Sequence, residues 1–456
     1  MPNPSEILSP FYSAALRAAQ RLPQNFGTPE QMLKMLGKYG AKASKLNYLG
    51  VPKMLQQYSS RVPKNAIVDY IDANKVLPVE MKLKGADKSA SMDDLESRYS
   101  DLESDLDDAR ENGDYDGAEL IRQHQADVME EMENWSKQPG TMYRDYATSP
   151  SPAYTEHLIK MPLAMDPEAA ARKIVGEDAW SRMSASDRAA MVASKTNPAM
   201  SGVYTAPHFD ENGVNLLAHM RYDTGNTPAT YNIPASAGVK SPLFLDELQS
   251  DWGQAGRKSG IKLDPSNRQA MRDELKSIFA NSSDMNQLTG ADAQRAADLS
   301  TALQRDSDAK VPNAPLIGST NDWTSMLVRR ALHEAASQGN DSLAWTPGAW
   351  QSARYSGHGA SGMTGFYDQM IPNIVKKYVE PYGGVYTAPD AATDAAALRA
   401  KLQQTTGQEL DPSDYANFRR PVDGAAPHIA TIPDSLKQKL LDEGIPFFSH
   451  GGYINR

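Results

Sequence analysis

The chain has 456 residues, with 57 Asp and Glu against 47 Lys and Arg, giving a formal net charge of −10. It has no cysteine, which excludes disulfides, thiolate metal sites and a cysteine nucleophile. An acidic balance also argues against nucleic acid as a partner, because displacing phosphate counterions needs a basic face, and no basic cluster exceeds the pairs Arg257-Lys258 and Arg329-Arg330.

A hydrophobic share of 40% supports real cores, while a mean hydropathy of −0.57 points to polar insertions. The length suits two to three compact units. No run approaches the roughly 18 apolar residues of a membrane span. Met1-Pro2-Asn3-Pro4-Ser5-Glu6 lacks the basic and apolar regions of a signal peptide, so secretion by that route is not expected.

Residues 1–85 read as a small helical module ending in a strand. Ser9-Pro10 and Thr28-Pro29 each set a capping hydroxyl before a proline at the first helical position. Gly40 and Gly50 are candidate helix stops. A helix over 63–74 precedes the alternating run 77–83. Such a module either docks a partner or forms a lid on the main domain.

Residues 86–140 contain the clearest local pattern. Met92, Leu95, Tyr99, Leu102, Leu106 and Ala109 step by three and four. After a break at 113–117, Ala118, Ile121, Val128, Met132 and Trp135 resume the register. This predicts an antiparallel helical hairpin about 30 Å long at 1.5 Å per residue. Its apolar edges should pack on the body or on a second copy, which makes self-association through 91–135 an expectation.

Residues 141–456 read as a mixed α/β body, so the whole chain is of the α+β class. Strands are expected over 154–161, 214–222, 242–249, 342–345 and 384–387, and helices over 321–338 and 366–378, the latter containing Pro372. Two polar, alanine-rich helical insertions, 167–194 and 265–305, look peripheral.

The densest polar group in the body is Asp246-Glu247-Leu248-Gln249-Ser250-Asp251-Trp252, at the end of the apolar run Leu243-Phe244-Leu245. Alternation places Glu247 and Gln249 on one face, Asp246 and Leu248 on the other. Polar groups at a buried strand's end suit a site on a sheet's rim. Equally, the carboxylates can cap the next helix.

Glu247 to Trp252 with Gln254, Gly256 and Arg257 resembles the ELQSDWxQxGR stretch of a domain common in bacteriophage genomes, where it often sits inside long "large polyvalent" proteins. Asn215-Leu216-Leu217-Ala218-His219-Met220-Arg221 is similar to that family's NVLAHVR, and Val311-Pro312-Asn313-Ala314-Pro315 to its VPDAP. Ala344-Trp345-Thr346-Pro347-Gly348 with Arg354-Tyr355 resembles AWTTG…RY, and Gly362 to Asp368 resembles GMKGFYD. Phe11-Tyr12-Ser13 and Thr28 to Gln31 resemble FYSxLLRA…TPEQW. The likeness spans most of the chain apart from about 86–135 and 263–305. It implies a phage or prophage accessory protein, in the virion or the host cytoplasm, with other phage proteins as partners. It implies no particular chemistry.

The candidate catalytic residues are therefore Glu247, Gln249 and Asp251, with Trp252 placed to shield them from water. The candidate substrate-binding residues are His219, Arg221, Trp252, Arg257, Trp345, Thr346 and Tyr355. Arg221 is expected opposite Glu247 on an adjacent antiparallel strand, since consecutive strands usually pair. The sequence names no cofactor. The eight histidines are scattered, so no metal site is assigned. Glu247-Leu248-Gln249 with Asp210 could imitate a PD-(D/E)xK-type nuclease, but Gln249 stands where the water-activating lysine belongs. The order helix, strand, helix over 323–378 also suits a GNAT-like acyltransferase, without a convincing pyrophosphate loop at Ile317-Gly318-Ser319-Thr320. The bland account of the aromatics there is core filling.

Overall fold

The computed structural model describes residues 9–85, 88–112, 114–136, 140–144, 147–162, 204–263, 265–280, 290–354, 360–389 and 426–447, with residue 288 and short pieces between 172 and 188. Among them, no helix is long and apolar enough to cross a membrane.

The chain begins with a short strand, Phe11–Ser13 (β1), then Ala14–Gln20 (α1), Phe26–Gly27 (β2), Pro29–Lys38 (α2), Ala43–Tyr48 (α3), Val51–Leu55 (α4), Val62–Pro63 (β3), Lys64–Asn74 (α5) and Val79–Leu83 (β4). Thr28 caps α2 in a reciprocal box with Gln31, as its sequence demands. Leu22, Met32, Leu36, Leu49, Ile67 and Ile71 belong to a separate core for this module. The expected helix start at Ser9-Pro10 is wrong. Phe11–Ser13 instead pairs in parallel with Ile445–Phe447, and the cap shifts to Ser13, whose hydroxyl accepts from Leu16 N. Burying Phe11 edge-on against Phe447, with ring centroids 5.7 Å apart, outweighs a local capping preference.

The hairpin forms as its heptads predict, from Lys88–Glu111 (α6) and Tyr115–Ser136 (α7). Leu95, Leu106, Ala118 and Val128 are buried along the seam. The break is shorter than expected. Asp114 Oδ1 accepts from Gly117 N at 2.9 Å, so Asp114 acts as an N-terminal cap and Gly117 lies inside α7. The two helices pack chiefly on each other. Leu106→Asp should therefore unravel α6 and α7 and leave the rest standing, because a seam charge must be desolvated. Circular dichroism should show lost helix with the main unfolding transition retained. An unchanged helical signal would mean that the seam does not hold the hairpin.

The body comprises Thr155–Lys160 (β5), Glu177–Ser181 (α8), Leu216–Asp223 (β6), Pro242–Gln249 (β7), Asp251–Ser259 (α9), Pro265–Phe279 (α10), Gly290–Asp308 (α11), Thr320–Ser337 (α12), Ser342–Trp345 (β8), Gly348–Arg354 (α13), Ala360–Thr364 (α14), a π-helical turn Gly365–Met370, Ile371–Val379 (α15), Tyr386–Thr387 (β9), His428–Thr431 (β10), Asp434–Glu443 (α16) and Ile445–Phe447 (β11). The expected strands all appear, that at 384–387 shortened to two residues. The segments β10, α16 and β11 had no expectation. The second insertion is the helix pair α10 and α11, while most of 167–194 lies outside the described residues.

Seven strands form one mixed sheet in the order β4-β5-β6-β7-β8-β10-β9. Only β7 and β8 run parallel; the remaining neighbours are antiparallel. Helices α12 and α15 cover one face, where Met326, Leu327, Ala331 and Val375 meet Met220, Leu243, Leu245 and Leu343. The connection between β6 and β7, with its short 3-10 turns Pro228–Tyr231 and Ala235–Ala237, covers part of the other, with Tyr231 stacked flat on Phe244 at 3.9 Å. A central strand covered on both faces reads as the continuous apolar run Leu243-Phe244-Leu245.

A buried ionic network ties β4 to this body. Arg330 on α12 bonds Glu80 of β4 at 2.5 Å and Glu334 at 2.8 Å. Glu334 also takes Lys82 at 2.5 Å and the Tyr222 hydroxyl at 2.8 Å. His157 Nε2 lies 2.7 Å from Glu80, off the line of a hydrogen bond. The strand that ends the N-terminal module is thus the first strand of the main sheet.

Candidate functional site

β6 and β7 pair His219 with Gln249, Met220 with Leu248 and Arg221 with Glu247. As expected, Arg221 and Glu247 are opposite neighbours, with Nε 2.6 Å from Oε2. The register then shifts, so that Tyr222 faces Leu245 and Asp246 faces no residue. This bulge corrects the simple alternation. An extra residue moves the Asp246 carboxylate to the same side as Arg221 and Glu247, where it accepts from Thr148 N at 2.8 Å.

Three buried carboxylates pin the chain around Tyr143, Thr148 and Ser151 over this face. Glu156 accepts from Met142 N and Tyr143 N at 2.8 and 2.5 Å. Asp223 accepts from Ser151 N and its hydroxyl at 2.7 and 2.8 Å, and Asp246 takes Thr148. Tyr143 O in turn accepts from Arg221 Nη1 at 3.1 Å. Arg221 is therefore held on two sides, and Glu247 is engaged with it. Burial alone would raise the Glu247 carboxyl, but Arg221 and His219 together outweigh it and hold the group well below the carboxylate range. Glu247 serves here as a fixed counter-ion.

The next group along the rim has a different character. Asp251, at the start of α9, receives the His208 ring, Nδ1 to Oδ2 at 2.8 Å, and the Gln249 amide, Nε2 to Oδ1 at 2.5 Å. Asp251 is buried, whereas 41% of the His208 side chain is exposed. The hydrogen bond to Asp251 raises the His208 pKa. Desolvation would raise Asp251, yet His208 prevails and lowers it. An oriented imidazole at the solvent margin is the arrangement of a general base. His219 stands behind it, with ring centroids 6.4 Å apart. It is 3% exposed, and its Nδ1 has no partner among the described residues. Gly213 fixes the approach, since a Cβ there would lie 2.7 Å from both Ala206 O and His208 O.

The other expected residues do not join this group. Trp252 faces the helix-covered core, donating to Pro312 O at 2.9 Å and stacking on Tyr204, so it shields nothing at the rim. Its position follows from the turn between Gln249 and α9. Ser250, not a carboxylate, caps α9 through Gly253 N at 3.0 Å. Arg257 is exposed on α9. Trp345 is buried on the helix-covered face, stacked on His428 at 4.9 Å. Thr346 is buried beside the strand fork and accepts from Gln351 Nε2 at 2.6 Å, while the same amide donates to Asp246 O at 2.6 Å. Tyr355 lies outside the described residues. Among the described residues no group of three His, Asp or Glu side chains is arranged to hold a metal. A surface cavity lined by Arg272, Leu275, Lys276 and Phe279 belongs to the α10 insertion and lacks such polar convergence.

Sequence reasoning missed His208. It meets Asp251 across 43 positions, and only the covering segment brings it there. Comparison with known protein families, characterised proteins and solved structures gave no match.

Proposed function

We propose that this chain is a bacteriophage or prophage accessory protein, carried in or on the particle or delivered with the genome, and that its α/β body is an enzyme. The motif likeness supports the phage origin. The projecting acidic hairpin offers a surface for other phage proteins or for a second copy. The observation that carries the enzymatic reading is the His208–Asp251 pair at 2.8 Å beside the buried His219, whose Nδ1 has no partner among the described residues. His208 takes a proton from a substrate hydroxyl or amine. Asp251 holds the ring and stabilises the resulting imidazolium, and Gln249 fixes Asp251.

Acyl transfer of the GNAT-like kind is the chemistry favoured by a specific feature. The parallel pairing of β7 and β8 stops at Leu245 and Trp345, while β7 continues to Gln249. The carboxyl ends of parallel strands are a preferred ligand position, and here buried Gln351 bridges Asp246 O and Thr346 where the strands part. The order α12, β8, α15 also follows the expected helix, strand, helix. The nuclease reading draws less support, since Glu247 is engaged by Arg221 and Gln249 by Asp251.

The test is thiol release from acetyl-CoA with a panel of amine and alcohol acceptors. His208→Ala should reduce turnover by at least about 10²-fold, the low end for loss of a general base. Turnover equal in parent and variant would sink the assignment of His208. Mass spectrometry of purified particles reads the phage reading separately.

A further inference from the structure

A second chain of proton-bearing groups lies on the helix-covered side, at the far end of the sheet. The Tyr386 hydroxyl lies 2.8 Å from His428 Nδ1, and His428 Nε2 lies 2.8 Å from Asp368 Oδ1. Tyr386 is on the edge strand β9, partly exposed, whereas His428 is 2% exposed. The His428 ring is clamped flat against Trp345, 8° from coplanar, and Trp345 is tied by its own Nε1 to Tyr367 O at 3.1 Å.

Asp368 is itself positioned. It sits in the π-helical turn Gly365–Met370, a local widening often found at functional sites. Its Oδ1 also accepts from Gly348 N at 2.7 Å. A Cβ at Gly348 would lie 2.6 Å from Thr364 Cα and 2.8 Å from Asp368 Oδ2. The glycine is therefore required for the backbone to reach that carboxylate. The two motif words meet at this contact, between Gly348 and Asp368, 20 residues apart. Burial and the Asp368 charge push the Tyr386 hydroxyl up to about 12, so it is protonated near neutrality and needs a base to react. Lys376 lies 4.3 Å over its ring.

We propose that Tyr386 is a nucleophilic hydroxyl, with His428 as its base and Asp368 orienting His428, and that it accepts the acyl group of a small activated ester. Nucleophile bonded to base, and base bonded to an orienting carboxylate, is the geometry that activates hydroxyls in acyl transfer. His428 carries its proton on Nε2, donated to Asp368, leaving the Nδ1 lone pair for Tyr386. Tyr386 Oη adds to the ester carbonyl carbon as its proton passes to Nδ1. The bond from that carbon to the leaving oxygen breaks, and the leaving group takes the proton from Nδ1. Water then attacks the tyrosyl ester, giving its proton to Nδ1, and Tyr386 Oη recovers that proton as the acyl group departs as the acid. This centre lies across the sheet from His208 and acts without it.

The probe is p-nitrophenyl acetate on the full chain. A burst of p-nitrophenolate approaching one equivalent is expected, with acetyl on the peptide containing Tyr386 in acid-quenched digests. Tyr386→Phe should abolish both. His428→Gln should slow the burst by at least about 10²-fold, with circular dichroism checking its fold. Asp368→Asn, at a partly exposed carboxylate, provides the second variant if His428→Gln does not fold, and should also slow the burst. Acetylation spread evenly over exposed tyrosines, or a Tyr386 rate unchanged in the folded variants, would overturn the proposal. A chain that turns over acetyl-CoA yet never acetylates Tyr386 overturns this centre and leaves the His208 reading standing.

Discussion

Arg330→Met is expected to destabilise the protein by about 3–5 kcal/mol, the usual cost of removing one partner from a buried ion pair. Arg330 is 2% exposed and neutralises both Glu80 and Glu334, which are equally buried. Without it, the two carboxylates lose their shared cation, and of the positive groups only Lys82 still bonds either of them; Ser9 on Glu80, and Tyr222 and Gln338 on Glu334, are neutral donors. Neutralising the carboxylates as well, in Arg330→Met with Glu80→Gln and Glu334→Gln, should recover much of the loss, because the penalty comes from uncompensated charge. Chemical denaturation of the three proteins measures this. A loss below about 1 kcal/mol for the single variant, the range of exposed pairs, would mean that water reaches the network.

The same network sets an acid dependence. Burial opposes the Glu80 charge, but His157 and Arg330 lower its pKa to about 2. Burial, reinforced by Arg330, lowers His157 to about 4 from 6.5. In both cases the unfolded chain binds the proton first, so stability rises with pH across each window. Acidification should therefore remove the His157 contribution between about pH 6.5 and 4, and the Glu80 contribution from about 4.5 towards 2. Melting temperatures measured down that range should fall in the parent and fall less steeply in the triple variant.

Arg221→Met should cost a similar 3–5 kcal/mol, since it leaves Glu247 charged beneath the Tyr143 segment. Glu247→Gln is milder, at about 1–3 kcal/mol, because the amide can still accept one bond from the guanidinium. The contrast with His208 is the informative part. His208 is partly exposed and Gln249 still engages Asp251, so His208→Ala should lower the melting temperature less than Arg221→Met while removing turnover. Were Glu247→Gln instead to leave stability unchanged and eliminate activity, Glu247 would be the working group and Arg221 its substrate-side partner. Thermal unfolding of all three variants decides this. The pH sign agrees with the structural role: Glu247 is held below its usual value of 4.5, so its stabilisation is present above that pH and fades as the medium becomes more acidic.

Periodicity settled what depends on near neighbours. The stepping of Leu95, Leu102 and Leu106 sufficed for the hairpin, because a seam three and four residues apart is a property of one helix. Thr28 with Gln31 sufficed for the start of α2. The run 242–249 gave its strand to the residue, and adjacency in sequence gave the Arg221–Glu247 pairing. Contacts made across long separations lay beyond such patterns. β1 looks like a helix start until Ile445–Phe447 returns to pair with it. One bulged residue sent Asp246 to the face that alternation denies it. Trp252 belongs to the core because α9 turns it there, although its neighbours line the rim. His208 reaches Asp251 across 43 positions, Arg330 reaches Glu80 across 250 and His428 reaches Asp368 across 60. A buried charge or a catalytic pair is defined by which groups exclude water together, and that grouping exists only once the sheet, its covering segments and its helices have come together.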